Sequence, residues 1–308
     1  MTELRIIAFP GAPNLPLFAA LEHGTFRDAG LAVTVTTTPS SVFQFEQFSA
    51  GAFDIAFTAF DNVVAYSEGQ GAARLAAPPD FKVILGATQI ELGIVAAPDV
   101  EKAADLKGRT VALDAVSTGF AFVLYDMLER LGLPRSDYEQ VAVGSTPDRW
   151  ASVKAGTHSA TMTIEPFTSI ARAAGFRLLA KSTDMFAAYQ GGIIAAREGW
   201  AKANASTVRA FIAAYLKGLA WTLDAANREA AAALLLARMP DIKPGVVGAV
   251  LDSVLSPRSG LTPGGQILPE GMKAVLDLRS KYGRPQAVLT DIDKYLALSF
   301  ADDARAGL

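Results

Sequence analysis

Arg5-Ile6-Ile7-Ala8-Phe9 runs through a turn at Pro13-Asn14 into an apolar helical segment, and about 104 positions later Arg109-Thr110-Val111-Ala112-Leu113 runs through Ser117-Thr118 into another. A second pair follows at the same interval. Ala50-Gly51-Ala52-Phe53-Asp54-Ile55-Ala56-Phe57-Thr58 is echoed by Ala155-Gly156-Thr157-His158-Ser159-Ala160-Thr161-Met162-Thr163. Each reads as a helix end, a glycine stop and a short buried strand ending in threonine. Two α/β halves of one design, facing each other, would make a cleft lined by helix N-termini, where polar and anionic groups bind well.

The rest of the pattern fits this frame. Strand signals fall at 4–9, 32–37, 55–58, 82–88, 92–96, 110–113, 140–143, 160–163, 177–180 and 192–196. Helical periodicity separates them at 15–23, 42–50, 62–68, 119–131, 148–155 and 167–174. Short strands alternating with helices indicate mainly parallel sheets. Ser41 with Gln44 reads as a capping box, and Thr146-Pro147 as an N-cap followed by an N1 proline. Beyond residue 197 only helices are expected, at 198–202, 206–226 (capped by Ser206), 228–239, 244–255, 269–282 and 291–299. This helical region is expected to pack on the first lobe. The expected division is residues 1–90 plus 192–308 for lobe one and 91–191 for lobe two. The two crossings, 84–94 and 189–194, would form a hinge.

Composition narrows the function. The 308 residues carry a net charge of −3 with scattered basic residues, which argues against a nucleic-acid surface. There are no cysteines, so disulfides, thiolate metal sites and a cysteine nucleophile are excluded. Only His23 and His158 supply imidazole. No apolar run is long enough for a membrane span, so no direct membrane insertion is expected. No secretory leader precedes the first strand, so the chain is expected either to be cytosolic or to have lost its leader.

Several stretches taken together, Leu17–Phe26 with Gly30-Leu31, Phe48–Ala56, Ala104-Asp105-Leu106-Lys107-Gly108-Arg109-Thr110-Val111-Ala112, Ala151–Ala160 and Glu165-Pro166, resemble one known group. It is the solute-binding proteins of ABC importers of the nitrate/sulfonate/taurine/thiamine-precursor family. The likeness spans residues 4–240, and it departs at Ser159, where members often carry aspartate. It implies a two-lobed type II periplasmic binding fold and a small-molecule solute. It also implies a membrane permease as partner, a monomer, no cofactor and a periplasmic location, with the cytoplasm as the alternative.

In this topology ligands sit beyond the carboxyl ends of the strands. Candidate ligand-binding residues are Asn14, Gln44, Thr58, Asp61, Gln89, Ser117, Thr118, Gly119, Phe120, Glu165 and Gln190. Each has a plain structural reading beside the functional one. Asn14, Asp61 and Ser117-Thr118 serve equally as helix caps, Gln44 as a surface amide, Glu165 as a lobe anchor, and Gln89, Tyr189, Gln190 and Glu91 as hinge packing. Arg149, in a helix's first turn, needs a partner: a protein carboxylate first, an anionic solute second. Phe9, Phe43, Phe60, Phe120 and Trp150 either wall the cleft or belong to the core.

The leading expectation is therefore a non-catalytic binding protein that hands a sulfonate, taurine-like, carboxylate or pyrimidine-like solute to an ABC importer. Without a basic cluster, a multiply charged anion is disfavoured, and a monoanion held by helix N-termini and hydroxyls needs no cationic side chain. The alternatives are an enzyme on the same fold and a cytosolic sensor. A pyrimidine-precursor synthase is weakened by the lack of cysteine. A dehydratase would use Asp61 or Glu165 as acid or base.

Overall fold

The computed structural model describes residues 1–307. The strands are β1 (Thr2–Ala8), β2 (Leu31–Thr37), β3 (Ile55–Ala59), β4 (Phe81–Thr88), β5 (Gly93–Ala96), β6 (Thr110–Leu113), β7 (Glu139–Ala142), β8 (Ala160–Thr163), β9 (Arg177–Lys181) and β10 (Gly192–Arg197). They form two sheets of order β2-β1-β3-β10-β4 and β7-β6-β8-β5-β9. The plans match strand for strand. In each sheet the first three are parallel, and the fourth, β10 or β5, runs antiparallel to both its neighbours. The sequence echo is thus a repeat of topology, with β3 and β8 in the same place.

The helices are α1 (Leu15–Glu22), α2 (Thr25–Asp28), α3 (Ser41–Ser49), α4 (Phe60–Ser67), α5 (Gly119–Arg130), α6 (Thr146–Lys154), α7 (Phe167–Ala173), α8 (Glu198–Ala203), α9 (Ala205–Leu223), α10 (Arg228–Arg238), α11 (Val247–Val254), α12 (Pro269–Tyr282) and α13 (Ser299–Ala306). One face of the first sheet is covered by Phe45, Phe48, Phe60 and Val63 of α3 and α4. The other is covered by Leu15 and Leu17 of α1 and Phe211, Ile212 and Tyr215 of α9. Burying an aromatic or leucine of this kind contributes roughly 1.5–3 kcal/mol each. Helix α9 packs on α1, α2 and α13, so the helical region lies on the first lobe, while α12 also reaches α5 of the second. No helix among the described residues is long and apolar enough to cross a membrane.

Local signals fail in five places. The cap of α3 is Ser40, whose hydroxyl accepts from the Phe43 amide at 3.1 Å, while Ser41 is already helical. Ser145 rather than Thr146 precedes α6, and α9 starts at Ala205 with no side-chain cap. Asp61 lies inside the first turn of α4, one residue beyond its start. The helix expected over 291–299 is replaced by a 3-10 turn (Asp293–Tyr295) and α13. There Leu296 bridges Val83 and the Ala297 amide donates to the Val83 carbonyl at 2.9 Å, so edge pairing with β4 overrides the helical period.

The chain crosses between the sheets twice, at 89–92 and 182–191. The crossings are tied together. The Gly191 amide donates to the Gln89 carbonyl at 2.9 Å, and the Gln190 amide group donates to the carbonyls of Thr88 (3.3 Å) and Gly192 (2.9 Å). Ile90 has φ 67°, a left-handed conformation rare for a β-branched residue.

Candidate functional site

Between the sheets lies a cleft of about 820 Å³, its open mouth included. The first lobe lines it with Phe9, Asn14, Phe57, Thr58 and Asn62, and the second with Asp114, Thr118, Gly119, Phe120, Thr146, Arg149 and Ile164. Thr88, Ile90, Gly191 and Gly192 close its hinge side. These are the ends of β1, β3, β6 and β8 and the first turns of α5 and α6. The walls are largely apolar with few polar groups, as in small-molecule sites generally.

The polar groups are held in place from behind. Asn14 donates to the Phe9 carbonyl at 2.7 Å and makes no capping bond to α1. Asn62 donates to the Thr58 hydroxyl at 2.9 Å. The Thr118 hydroxyl donates back to the Ala115 carbonyl at 3.1 Å, so no side chain caps α5 and its first amides are left for a ligand.

Arg149 is the most unusual group. It is 4% exposed, and its guanidinium donates to the Thr161 hydroxyl (3.1 Å), the Gly144 carbonyl (2.6 Å), the Thr146 hydroxyl (3.0 Å) and the Met162 carbonyl (3.0 Å). All four acceptors are neutral. The expected protein carboxylate is not there: among the described residues none lies within ion-pairing distance of Arg149. Asp148 is occupied by the Ser145 hydroxyl and Asp114 by the Ser41 amide. Burial pulls the guanidinium down to about 10, partly offset by the fields of Asp114 and Asp148, so it stays charged at neutral pH. A buried cation without a counter-charge is costly, and an anion arriving in the cleft would relieve that cost. The sequence alone does not require a cationic side chain for a monoanion, and the cleft nevertheless has one in its lining.

Of the residues singled out in the sequence, Asn14, Thr58, Thr118, Gly119 and Phe120 line the cleft together. The others are engaged elsewhere. Asp61 is buried in a two-pronged ion pair with Arg279 (2.6 and 2.5 Å) and does not line the cleft. The Ser117 carbonyl accepts from the same Arg279 at 3.0 Å. Gln44 is no surface amide: it is fully buried and donates to the Phe57 carbonyl at 3.0 Å. Gln89 points to the Pro257 carbonyl in a separate small groove at the hinge. Gln190 is fully buried and accepts from the Leu268 amide at 2.8 Å. The Glu165 carboxylate accepts from the Ser169 hydroxyl (2.9 Å) and amide (3.3 Å), and burial pushes it up to about 7 against those bonds.

Among the aromatics, Phe9 and Phe120 line the cleft. Phe60 packs edge-on against Tyr295, Trp150 packs edge-on against Phe176, and Phe43 is at the surface. The histidines stay apart, His23 beside Trp221 and His158 against the Thr110 hydroxyl. Among the described residues no cluster of His, Asp and Glu could hold a metal ion. Asp114, Asn62, Thr146 and Phe57 were not singled out as ligand contacts. Asp114 had a legible signal, since it stands directly after β6 as Phe9 does after β1.

Residues 13–228 match the NMT1/THI5-like family model. A search of curated protein sequences finds no significant match. Among solved structures, the periplasmic nitrate-binding protein NrtA of Synechocystis PCC 6803 superposes with a TM-score of 0.80 at 14% identity, over 100% of this chain and 89% of its own. The periplasmic aliphatic sulphonate binding protein SsuA of Escherichia coli gives 0.69 at 21% identity, over 96% and 92%. The desulfurization enzyme DszB gives 0.67 at 17% identity, over 100% and 99%. At such identities the likenesses speak for the fold alone. With its family model covering most of the chain and its fold that of the periplasmic binding proteins, the chain belongs to the NMT1/THI5-like family.

Proposed function

We propose that this chain is the solute-binding component of an ABC importer, that it works in the periplasm as a monomer, and that its solute is a small organic monoanion with an apolar body. The carrying observation is Arg149, a buried guanidinium that faces the cleft with neutral acceptors only. The anionic head sits against Arg149, Thr146 and the open N-terminus of α5, while Phe9, Phe57 and Phe120 contact the body. One cation and the carboxylate of Asp114 in one cleft disfavour a multiply charged anion. That NrtA and SsuA bind nitrate and sulphonate supports the anion class. The solute's identity within it follows from testing.

A thermal-shift and calorimetric screen of 1-butanesulfonate, taurine, nitrate, small carboxylates and pyrimidines tests this reading. A bound monoanion raises Tm by mass action, and Arg149→Met abolishes the shift. Binding of a neutral pyrimidine that survives Arg149→Met overturns the assignment. DszB keeps an enzymatic reading in view. It is disfavoured because the acid–base candidates are committed elsewhere, Asp61 to Arg279 and Glu165 to Ser169. Turnover of the bound compound, rather than saturable binding, would reinstate it.

A further inference from the structure

We propose that Asp114 is a latch that holds the two lobes closed by taking the backbone amide of Ser41 across the cleft mouth; this rests on the binding reading above. Both carboxylate oxygens of Asp114, on the second lobe, lie near the Ser41 amide of the first, at 3.2 and 3.0 Å. Ser41 is the first residue of α3, where an amide has no partner within its own helix, so the carboxylate meets both a free N–H and the positive end of the helix. Beside it the Ser145 amide donates to the Pro39 carbonyl at 2.8 Å, a second bond between the same two lobes. Gly144 makes the approach possible. It has φ 118°, and a Cβ there would lie 3.0 Å from the Pro39 carbonyl oxygen. The Gly144 carbonyl is itself held by Arg149 at 2.6 Å. The group that faces the solute therefore also fixes the turn that meets the opposite lobe.

Asp114 lines the cleft, so replacing it alone would mix latch and solute effects. Ser41 does not line it. Ser41→Pro removes the donated N–H at a helix position where proline is favoured, and Ser40 before it is already extended (φ −165°, ψ 163°), as a residue preceding proline must be. Ser41→Ala keeps the N–H and deletes only a buried hydroxyl that has no partner among the described residues.

The chain has no cysteine, so spin labels at Ala50→Cys and Lys154→Cys, both exposed, one on each lobe, report the distance between lobes cleanly. Without solute, the wild type should show a closed population. Ser41→Pro and Asp114→Ala should each reduce it roughly tenfold, the size of one charge-assisted hydrogen bond, with no further loss in the double variant, while Ser41→Ala should match the wild type. With 1-butanesulfonate, Ser41→Pro should raise the dissociation rate by a similar factor. A wild type with no closed population overturns the latch. So does a closed population unchanged by Ser41→Pro, or one lost equally in Ser41→Ala. If 1-butanesulfonate and the other screened solutes fail to bind the wild type, the binding reading falls, while the distance measurement still decides the latch.

Discussion

A cation and a carboxylate, each buried against its ordinary preference, define the chemistry at the scale of single residues. Arg149→Met should lower affinity for a monoanion by about thirtyfold or more, since removing one partner of a buried charge pair costs roughly 2–5 kcal/mol and each 1.4 kcal/mol is tenfold; calorimetry on both proteins measures it. Glu165 gives a pH signature. It holds its proton in the folded chain up to about 7 and would lose it near 4.5 when unfolded. The unfolded state therefore binds fewer protons between those values, and stability falls as pH rises from 4.5 to 7, by on the order of 3 kcal/mol, and then levels. Urea midpoints across this range should show the fall in the wild type and a flat line in Glu165→Gln. Gly119 reads as a close-approach position, and the neighbour it meets is Asp61. A Cβ at 119 would lie 2.3 Å from the Asp61 carboxyl carbon, so Gly119→Ala should displace the Asp61–Arg279 pair and lower Tm by several degrees.

Helix α12 explains at the level of elements why the Asp61 carboxylate is engaged away from the cleft lining. Its Arg279 is fully buried, pairs with Asp61 of α4, donates to the Ser117 carbonyl before α5 and lies 4.7 Å from the Phe122 ring. Two turns that open onto the cleft are thereby pinned by a side chain more than 150 positions further along the chain, which no local pattern around Asp61 announces. Breaking the pair by Asp61→Ala should cost about 3–5 kcal/mol, because it strands a buried cation, whereas Asp61→Leu with Arg279→Met should recover much of the loss. Chemical denaturation of the wild type and these two variants separates the outcomes. The misplaced caps have a similar origin. Ser40 and Ser41, or Ser145 and Thr146, are chemically equivalent capping residues, and only the backbone angles choose between them.

Taken as a whole molecule, the closed arrangement is held by contacts between lobes at the Ser41–Asp114, Pro39–Ser145 and Ala12–Glu165 positions. Small-angle scattering should accordingly show a radius of gyration that falls, or a distribution that narrows, on adding a bound monoanion; an unchanged profile alongside demonstrated binding would count against hinge closure. Much of this architecture was legible from one dimension. The echo of Ile55–Thr58 in Ala160–Thr163, the glycine stops and the alternation of short apolar runs with helical periods are local, and they fix the strands, most helices and the duplicated sheet plan. The Asn14 and Thr118–Phe120 turns followed from that plan, because strand ends and helix starts converge in it. What the local pattern could not carry was the fate of charged side chains: whether Asp61 pairs with Arg279, and whether Arg149 meets a carboxylate or only neutral acceptors. A charge finds its partner through space rather than along the chain, and burial, which makes that partner matter energetically, exists only once the lobes have packed.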